Sequence, residues 1–327
     1  MKDKLKVFWK ENRFYLLFLL IVVVVSNYRL PYYVSAPGGI IDISDRIEMD
    51  ERVEYDGSLN MLYVTQYEAT VPLYLMSFIL KDWDLESIKD NQISNENHKE
   101  IDIRNKIMLN NSVNNAIYVA YTASGKDIKV KNNRTFIVGT LSDMDLKIGD
   151  EVISVNDKKI DDFNVLKNII DNSKIGDNLE FKVIRDNKEK EVNVEVKEID
   201  GAKALGIVVT NNFDYEIDPE IELKFNKSES GSSGGLMMAL SIYSAISGED
   251  LLKGRDIAGT GTIDINGNVG EIGGIKYKII GAVNNGMDVV LVPSNNYEEA
   301  KKVVSENDYD IELVRISTFN DAIEYLK

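Results

Sequence analysis

The chain has 327 residues, of which 44% are apolar and 28% are charged, as expected for a folded protein of about two or three domains. Its formal net charge of −16 repels a phosphate backbone, and no stripe of basic and aromatic side chains reverses this locally, so nucleic acid is not an expected partner. Cysteine is absent, which excludes disulfides, thiolate metal sites and a cysteine nucleophile. His98 is the single histidine, and its polar neighbours favour a solvated surface position over a catalytic or ligand role.

The amino-terminal segment has the pattern of a membrane anchor. Residues 1–13 carry five basic and two acidic side chains, and the next twelve residues, 14–25, are apolar. This predicts a cytoplasmic basic segment over 1–13 and one transmembrane helix over 14–34, with tyrosines and Arg29 at the interface. A cleavable signal peptide and a buried core helix are the alternatives, but no convincing cleavage site follows Val25 and the basic cluster argues against a core helix. The rest of the chain is then expected outside the cytoplasm, at a cell membrane.

Residues 35–125 form a region of mixed pattern. A Pro-Gly-Gly turn at 37–39 is followed by a predicted strand over 58–67 and a predicted helix over 107–124. No chemistry is visible in this region.

From Phe136 the pattern changes to short strands and turns, with one helix predicted over 163–170. The run from Leu146 to Ile160 contains Leu-Lys-Ile-Gly-Asp-Glu-Val, and it resembles the strand-turn segment of bacterial PDZ domains. Residues 126–200 resemble one such domain in length and element order. The resemblance implies that this part holds an extended peptide by adding it as a strand to a sheet edge, and a small β-rich spacer is the alternative.

Over residues 201–327 strands and helices alternate, which predicts an α/β layer domain. Within it, Gly231-Ser-Ser-Gly-Gly235 runs directly into an apolar helix. Backbone N–H groups at a helix start lack partners, and glycine lets them approach a reacting carbonyl, so this loop suits an oxyanion.

The loop has three other possible interpretations. A flexible linker would not continue into an apolar helix, and a phosphate-binding loop requires a Gly-Lys-Ser/Thr ending that the chain lacks, so no nucleotide is expected. The loop also fits the Gly-x-Ser-x-Gly elbow of α/β-hydrolases, but that fold needs a histidine after the serine, and His98 precedes it. A neutral lysine can replace the histidine where its pKa is lowered. Lys276 and Lys278 both lie in the first turn of a predicted helix, and spacing does not choose between them.

The serine loop, the stretch from Asp256 to Lys278 with its Gly-Gly-Ile-Lys-Tyr-Lys ending, and the strand ending at Pro293 resemble the proteolytic domain of Lon-family peptidases. The order anchor, PDZ, protease is similar to that of the membrane-anchored bacterial members. By position, the resemblance implies that Ser233 is the nucleophile and Lys278 the general base, with Thr260 beside them. The loop departs from the usual Gly-Pro-Ser-Ala-Gly of the family, and the adjacent Ser232 leaves a second candidate nucleophile.

The expected fold is therefore an α/β (α+β) Lon-type protease domain and a small β-rich PDZ domain, preceded by one transmembrane helix. The expected function is that of an ATP-independent serine endopeptidase that cleaves extracytoplasmic peptides or protein segments. No metal, nucleotide or other cofactor is expected, the partners are a peptide or protein substrate and the membrane, and homo-oligomerisation is left open. The competing hypothesis is an inert PDZ scaffold at the membrane. A further hypothesis is that residues of about 50–125 pack with the catalytic domain, so that the PDZ domain is inserted between them.

Overall fold

The computed structural model describes residues 2–50, 53, 55–92 and 96–327. Met1 of the predicted basic segment, and residues 51, 52, 54 and 93–95 of the predicted region 35–125, lie outside this set. The described residues form two compact units. The smaller unit holds those of Met1–Pro37 and Val64–Asn91, and the larger unit holds those of Gly38–Tyr63 and Gln92–Lys327.

The α-helices of the described residues are α1 (Lys2–Asn27), α2 (Val71–Met76), α3 (His98–Ser124), α4 (Phe163–Asn172), α5 (Gly235–Ser247), α6 (Ile275–Asn284), α7 (Tyr297–Glu306) and α8 (Phe319–Leu326). The strands are β1 (Arg29–Asp42), β2 (Ile47–Glu48), β3 (Ser58–Thr70), β4 (Asp84–Ser87), β5 (Asp127–Thr140), β6 (Glu151–Val155), β7 (Lys158–Lys159), β8 (Asn178–Arg185), β9 (Lys188–Glu195), β10 (Lys197–Ile199), β11 (Ala202–Ala204), β12 (Ile207–Asp218), β13 (Glu222–Leu223), β14 (Asp256–Gly259), β15 (Thr262–Ile263), β16 (Val269–Gly270), β17 (Val289–Pro293) and β18 (Glu312–Ile316).

The smaller unit corrects the predicted transmembrane helix over 14–34. Helix α1 ends at Asn27, and β1 begins at Arg29 because its backbone pairs antiparallel with β4, where Tyr32 lies opposite Ser87. None of the helices in the described part of the chain combines the length and the apolarity needed to cross a membrane. The structure therefore does not support a transmembrane helix over 14–34.

A layered α/β arrangement forms the part of the larger unit that holds the predicted catalytic residues, and this part is called the catalytic part below. Its strands lie in the order β18, β17, β14, β3, β1, and the pairs β18–β17, β17–β14 and β14–β3 are parallel. Alternate residues of β14 point to opposite faces, as strand geometry requires. Ile257 enters a core with α3, α5 and α8, whereas Ala258 enters a second core with α6 and α7. Helices thus cover both faces, and the predicted mixed α/β fold is confirmed.

Helix α3 belongs to the same core as α5. It begins at His98 rather than near residue 107, because Asn97 and Glu100 form a capping box that satisfies the first N–H groups. It ends where Gly125 adopts a left-handed conformation with φ of 69°. Its buried Ala116, Ile117 and Ala120 pack in the core that contains α5. A segment that precedes the PDZ-like region thus completes the catalytic core.

The PDZ-like part is a separate antiparallel sheet with its own core. Its strands lie in the order β12, β5, β6, β8, β9, and β7 pairs with β6. Asp186 and Asn187 join β8 to β9 with φ of 51° and 60°, which is the conformation of a two-residue type I′ hairpin turn. Phe181 of β8 and Leu166 of α4 are buried in a core that is distinct from the two cores around β14.

A long two-stranded ribbon connects the two parts of the larger unit. Strands β5 and β12 pair antiparallel from Asp127 opposite Asp218 to Thr140 opposite Ile207. The register shifts between Asn212 and Asp214, where the ribbon passes α3. The chain therefore leaves the catalytic layers along β5 and returns to them along β12.

Candidate active site

The loop before α5 places Ser233 at the start of a buried helix. Gly231 has a φ of 90°, which favours glycine, and its N–H donates to Asn105 O at 3.0 Å. The helix that follows is apolar on all sides and is buried along almost its whole length, as expected for a core helix. Ser233 itself is half-buried, so its hydroxyl lies where a rigid core helix meets the surface.

Close packing explains why two glycines follow Ser233. A Cβ atom on Gly234 would lie 1.9 Å from Met61 Sδ, and one on Gly235 would lie 2.7 Å from Ser112 Oγ and 2.9 Å from the backbone nitrogen of Ile263. All three distances are shorter than real Cβ contacts. The serine loop can therefore approach β3 and α3 only because these positions lack side chains.

Thr260 joins the serine loop to Lys278. Its hydroxyl oxygen Oγ1 donates to the carbonyl of Ser233 at 3.0 Å and accepts from Lys278 Nζ at 2.9 Å. Thr260 directly follows β14, and its N–H extends the pairing with β17 by donating to Leu291 O at 3.1 Å. Ser233, Thr260 and Lys278, which are far apart in the sequence, are thus brought together, with Thr260 between the other two.

Burial gives Lys278 the electrostatics of a base. Its side chain is only 2% exposed, and burial lowers its pKa from the usual lysine value of 10.5 to about 7. Removing a charged ammonium from water is costly, so the neutral amine is favoured. Lys276 is half-buried, and its Nζ lies 5.5 Å from the ring centre of Tyr277. The two lysines of the predicted pair therefore have different environments, and the buried one lies next to Thr260.

The N–H groups around Ser233 divide into occupied and free donors. Gly235 N donates to Ser232 O at 3.3 Å, and Leu236 N donates to Gly261 O at 3.1 Å. In the part of the chain that the structure describes, the N–H groups of Ser233 and Gly234 make no hydrogen bond. These two N–H groups are therefore available to an oxyanion formed beside Ser233 Oγ. The sequence predicts this role for the N–H groups of the helix start in general, and the structure restricts it to these two.

Ser232 lies in a different environment from Ser233. Its carbonyl accepts from the hydroxyl of Ser112 on α3 at 3.0 Å, whereas the carbonyl of Ser233 accepts from Thr260. Lys278 is therefore connected through hydrogen bonds to Ser233 and not to Ser232. His98, as expected, is exposed, at the first position of α3.

The region in which the sequence showed no chemistry contributes to the site. On α3, Ser112 donates to Ser232 O, and Asn115 Nδ2 donates to Ile263 O at 3.0 Å. The sequence does contain a signal, because a run of asparagine and serine in the middle of a helix is unfavourable unless these side chains find other partners.

Comparison with known protein families agrees with this architecture. Residues 226–326 match the family model described as the Lon protease (S16) C-terminal proteolytic domain. Residues 139–196 match the PDZ domain model. The two matches fall within the predicted protease domain, 201–327, and the predicted PDZ domain, 126–200.

Curated relatives match over a limited part of their length. Lon protease 2 of Borreliella burgdorferi is 33% identical over 118 residues, which are 35% of this chain and 15% of that protein. Lon protease of Campylobacter jejuni is 38% identical over 96 residues, which are 29% of this chain and 12% of that protein. The chain therefore corresponds to less than a sixth of each of these relatives.

Among solved structures, the PDZ domain of the SdrC-like protein from Listeria monocytogenes is 18% identical, with a TM-score of 0.24, and covers 25% of this chain and 92% of that one. The family matches show what the catalytic and PDZ-like parts are. The chain contains a Lon-type proteolytic domain together with a PDZ domain.

Proposed function

We propose that the chain cleaves peptide bonds with Ser233 as nucleophile and Lys278 as general base. Two hydrogen bonds carry the proposal. Lys278 Nζ donates to Thr260 Oγ1, and Thr260 Oγ1 donates to the carbonyl of Ser233. A pKa of about 7 leaves a large fraction of Lys278 neutral at neutral pH, which is the state that accepts a proton.

In the proposed reaction, Lys278 Nζ takes the hydroxyl proton of Ser233 while Oγ attacks the carbonyl carbon of the scissile peptide bond. The N–H groups of Ser233 and Gly234 stabilise the oxyanion of the tetrahedral intermediate. The protonated Lys278 then gives its proton to the leaving amine, which breaks the C–N bond and leaves an acyl-enzyme. Water, activated by neutral Lys278, hydrolyses the ester and restores Ser233. These steps use no metal and no nucleotide, so we propose unfolded segments, loops or secreted peptides as substrates.

The test is cleavage of an unstructured fluorogenic peptide, without ATP, by the full chain and by its variants. We expect Ser233→Ala and Lys278→Ala each to reduce kcat/KM by about 10³-fold or more. Ser232→Ala and Lys276→Ala are the matched controls, and each should retain activity. Activity that survives Ser233→Ala but not Ser232→Ala would move the nucleophile to Ser232. No cleavage by the unmodified chain would instead favour an inert PDZ scaffold.

We propose that the PDZ domain presents the substrate by pairing its backbone with a sheet edge. The PDZ sheet is open, since the strand order that begins at β12 and ends at β9 does not close on itself. Main-chain pairing of this kind tolerates many sequences, which suits a peptidase for unfolded segments.

We also propose that the apolar stretch of α1 holds the chain at a cell membrane, with Ser233 outside the cytoplasm. All the side chains of this stretch except Leu16, which is half-buried, are exposed by 40% to 76%: Phe14, Tyr15, Leu17, Phe18, Leu19, Leu20, Ile21, Val22, Val23, Val24 and Val25. A contiguous apolar surface of this size is unfavourable in water. The basic side chains of the adjacent segment favour the cytoplasmic side.

The absence of cysteine makes the membrane proposal easy to test. Lys10→Cys and Lys190→Cys place single thiols before α1's apolar stretch and on the exposed face of β9. In intact cells a membrane-impermeant maleimide should label Lys190→Cys, and should label Lys10→Cys only after the cells are opened. Labelling of both thiols in intact cells, or of neither, would contradict the proposal. So would recovery of the chain in the soluble fraction after the membranes are separated.

A further inference from the structure

Two consecutive carbonyl groups of the serine loop are each held by a hydroxyl group from another part of the fold. Ser112 Oγ, on α3, donates to Ser232 O at 3.0 Å. Thr260 Oγ1, after β14, donates to Ser233 O at 3.0 Å, and Gly261 N donates to the same carbonyl at 2.8 Å. Each of the two carbonyls next to Ser233 is therefore held by a hydroxyl group from outside the loop, and Ser232 O also accepts from Gly235 N at 3.3 Å within it.

Fixing these carbonyls also fixes the direction of two N–H groups. In a trans peptide unit the C=O and the following N–H are coplanar and point in opposite directions. Holding Ser232 O toward α3 therefore turns the N–H of Ser233 away from α3, and holding Ser233 O toward Thr260 turns the N–H of Gly234 away from Thr260. These are the two N–H groups next to Ser233 Oγ that make no hydrogen bond in the described residues.

The environment of Ser112 indicates a specific contact. Its side chain is 1% exposed, in the middle of α3, where a serine hydroxyl commonly bonds to the carbonyl four residues earlier in its own helix. Here the hydroxyl bonds across to the serine loop. A Cβ on Gly235 would lie 2.7 Å from this oxygen, so the loop and the hydroxyl are packed directly against each other.

We propose that Ser112 is a positioning residue for catalysis, which orients the N–H of Ser233 toward the oxyanion of the tetrahedral intermediate. The proposal rests on the proposed function, because it requires Ser233 to be the nucleophile. Ser112 does not touch the substrate, and it acts through the peptide unit that joins Ser232 to Ser233. Thr260 acts on the next peptide unit and also contacts Lys278, so the two hydroxyls have separable effects.

The test compares Ser112→Ala, Ser112→Cys and the control Ser124→Ala in the full chain. Loss of one oxyanion donor costs about 10²–10³-fold in kcat, and misorientation of one donor should cost less, so we expect Ser112→Ala to lower kcat about 10-fold to 100-fold. Ser112→Cys keeps a side chain of similar size and a weak donor, so its kcat should lie between that of Ser112→Ala and that of the unmodified chain. Ser124, on the same helix, donates to Tyr121 O within α3 and makes no hydrogen bond to the serine loop among the described residues, so Ser124→Ala should keep full kcat.

Two readouts separate positioning from a structural defect. A peptide boronate, whose adduct with a serine imitates the tetrahedral intermediate, should bind Ser112→Ala more weakly by the same factor as kcat/KM falls. The affinity of an uncleaved peptide and the pH at which activity appears should not change, since the burial of Lys278 is unaffected.

The outcomes also distinguish this proposal from the one it rests on. If Ser233→Ala abolishes cleavage while Ser112→Ala keeps full kcat and boronate affinity, the positioning role is wrong and the nucleophile stands. If Ser233→Ala remains active, the proposed function itself fails. If Ser112→Ala does not fold, the test is made with Ser112→Cys instead. Unchanged kcat and unchanged boronate affinity in Ser112→Cys would then overturn the proposal.

Discussion

The chemistry of the site depends first on one buried amine. Lys278 is 2% exposed, and in the described part of the chain its Nζ has Thr260 Oγ1 as its hydrogen-bond partner and no acidic one. A carboxylate beside it would raise its pKa and keep it charged. Burial without an opposite charge has the reverse effect and favours the neutral amine, which a general base must be.

The lowered pKa of Lys278 predicts the pH dependence of cleavage. The base must be deprotonated, so kcat/KM should rise as pH increases, with a midpoint near the Lys278 pKa of about 7. A lysine with an unperturbed pKa would place the midpoint more than three pH units higher, since its reference value is about 10.4. The measurement is kcat/KM for a peptide without titratable groups. An activity that rises only above about pH 9 would exclude a buried neutral lysine as the base.

Only part of this site could be predicted from local sequence. The Gly-Gly-Ile-Lys-Tyr-Lys pattern predicts that Lys276 and Lys278 lie early in a helix, and residues two apart point to different faces of a helix. Which face meets Ser233 depends on how α6 packs against β14, and that packing is not a local property. The resemblance to Lon peptidases pointed to Lys278, and the structure adds burial and the contact with Thr260 as independent support.

Gly234 offers a second prediction at the residue scale. Its φ of −94° is accessible to alanine, so Gly234→Ala tests packing alone, and its Cβ would lie 1.9 Å from Met61 Sδ. We expect this overpacking to cost about 1 kcal/mol of unfolding free energy, the low end of the range for overpacked cores because the flexible Met61 side chain can shift, and to lower activity. In the double variant with Met61→Ala the added methyl has space, so Gly234→Ala should cost much less there. A double-mutant cycle measured by chemical denaturation checks this, and strictly additive effects would contradict the contact.

At the scale of elements, α3 connects the serine loop with the β5–β12 ribbon. Ser112 and Asn115 donate to backbone carbonyls of the catalytic part. From the same turns, Asn111 Nδ2 donates to Asn211 O and Asn114 Nδ2 donates to Phe213 O, each at 2.6 Å. One short polar stretch of a helix therefore holds both the loop before α5 and the bulged part of β12.

The two contacts with the ribbon predict a local loss of stability. Asn111→Ala together with Asn114→Ala leaves two half-buried carbonyls without donors, which should cost about 1–3 kcal/mol. The effect should appear as faster amide hydrogen exchange in β5 and β12, with little change in α6 and β17. Asn172→Ala, which removes an exposed bond to Asn168 O in α4, is the control. Faster exchange throughout the chain would show that α3 supports the whole fold rather than the ribbon.

The elements themselves differ in how far sequence predicted them. The helix predicted over 163–170 is α4, which runs from Phe163 to Asn172, because its apolar residues follow a clear helical spacing. The sequence indicates strands only from Phe136 onward, because residues 127–135 of β5 are mostly polar. The partner strand β12 follows the PDZ domain in the chain. Pairing between distant segments leaves little trace in either segment alone.

At the scale of the whole molecule, the PDZ domain and the catalytic layers have separate cores. The residues that pack around Phe181 belong to a cluster distinct from the two clusters on either face of β14. The two parts share one compact unit and are joined by the β5–β12 ribbon and α3. Separate cores imply that one part can lose its packing while the other keeps it, and this allows the role of the PDZ domain to be tested without removing it.

Asp150 provides the means for that test. It is fully buried in the PDZ domain, and its two carboxylate oxygens accept from Arg185 Nε and Nη2, each at 2.6 Å. Asp150→Ala leaves the guanidinium with Asp145 O as an acceptor but without its carboxylate. Breaking a buried pair costs about 3–5 kcal/mol, and because the Arg185 side chain is 21% exposed we expect a loss at or below the lower end of that range. We expect faster hydrogen exchange in β6, β8 and β9 while α5 and β17 keep their protection.

The same variant separates peptide presentation from catalysis. If the PDZ domain presents substrates, Asp150→Ala should raise KM for a long unstructured polypeptide several-fold, and should leave kcat/KM for a short peptide unchanged because Ser233 and Lys278 keep their packing. Asp143→Ala is the control, since Asp143 is 98% exposed and its ion pair with Lys147 is worth little. Equal loss with both substrates would mean that the ribbon transmits the damage to the catalytic layers. If the variant cleaves both substrates as well as the unmodified chain does, although hydrogen exchange in β6, β8 and β9 is faster, the PDZ domain does not present these substrates.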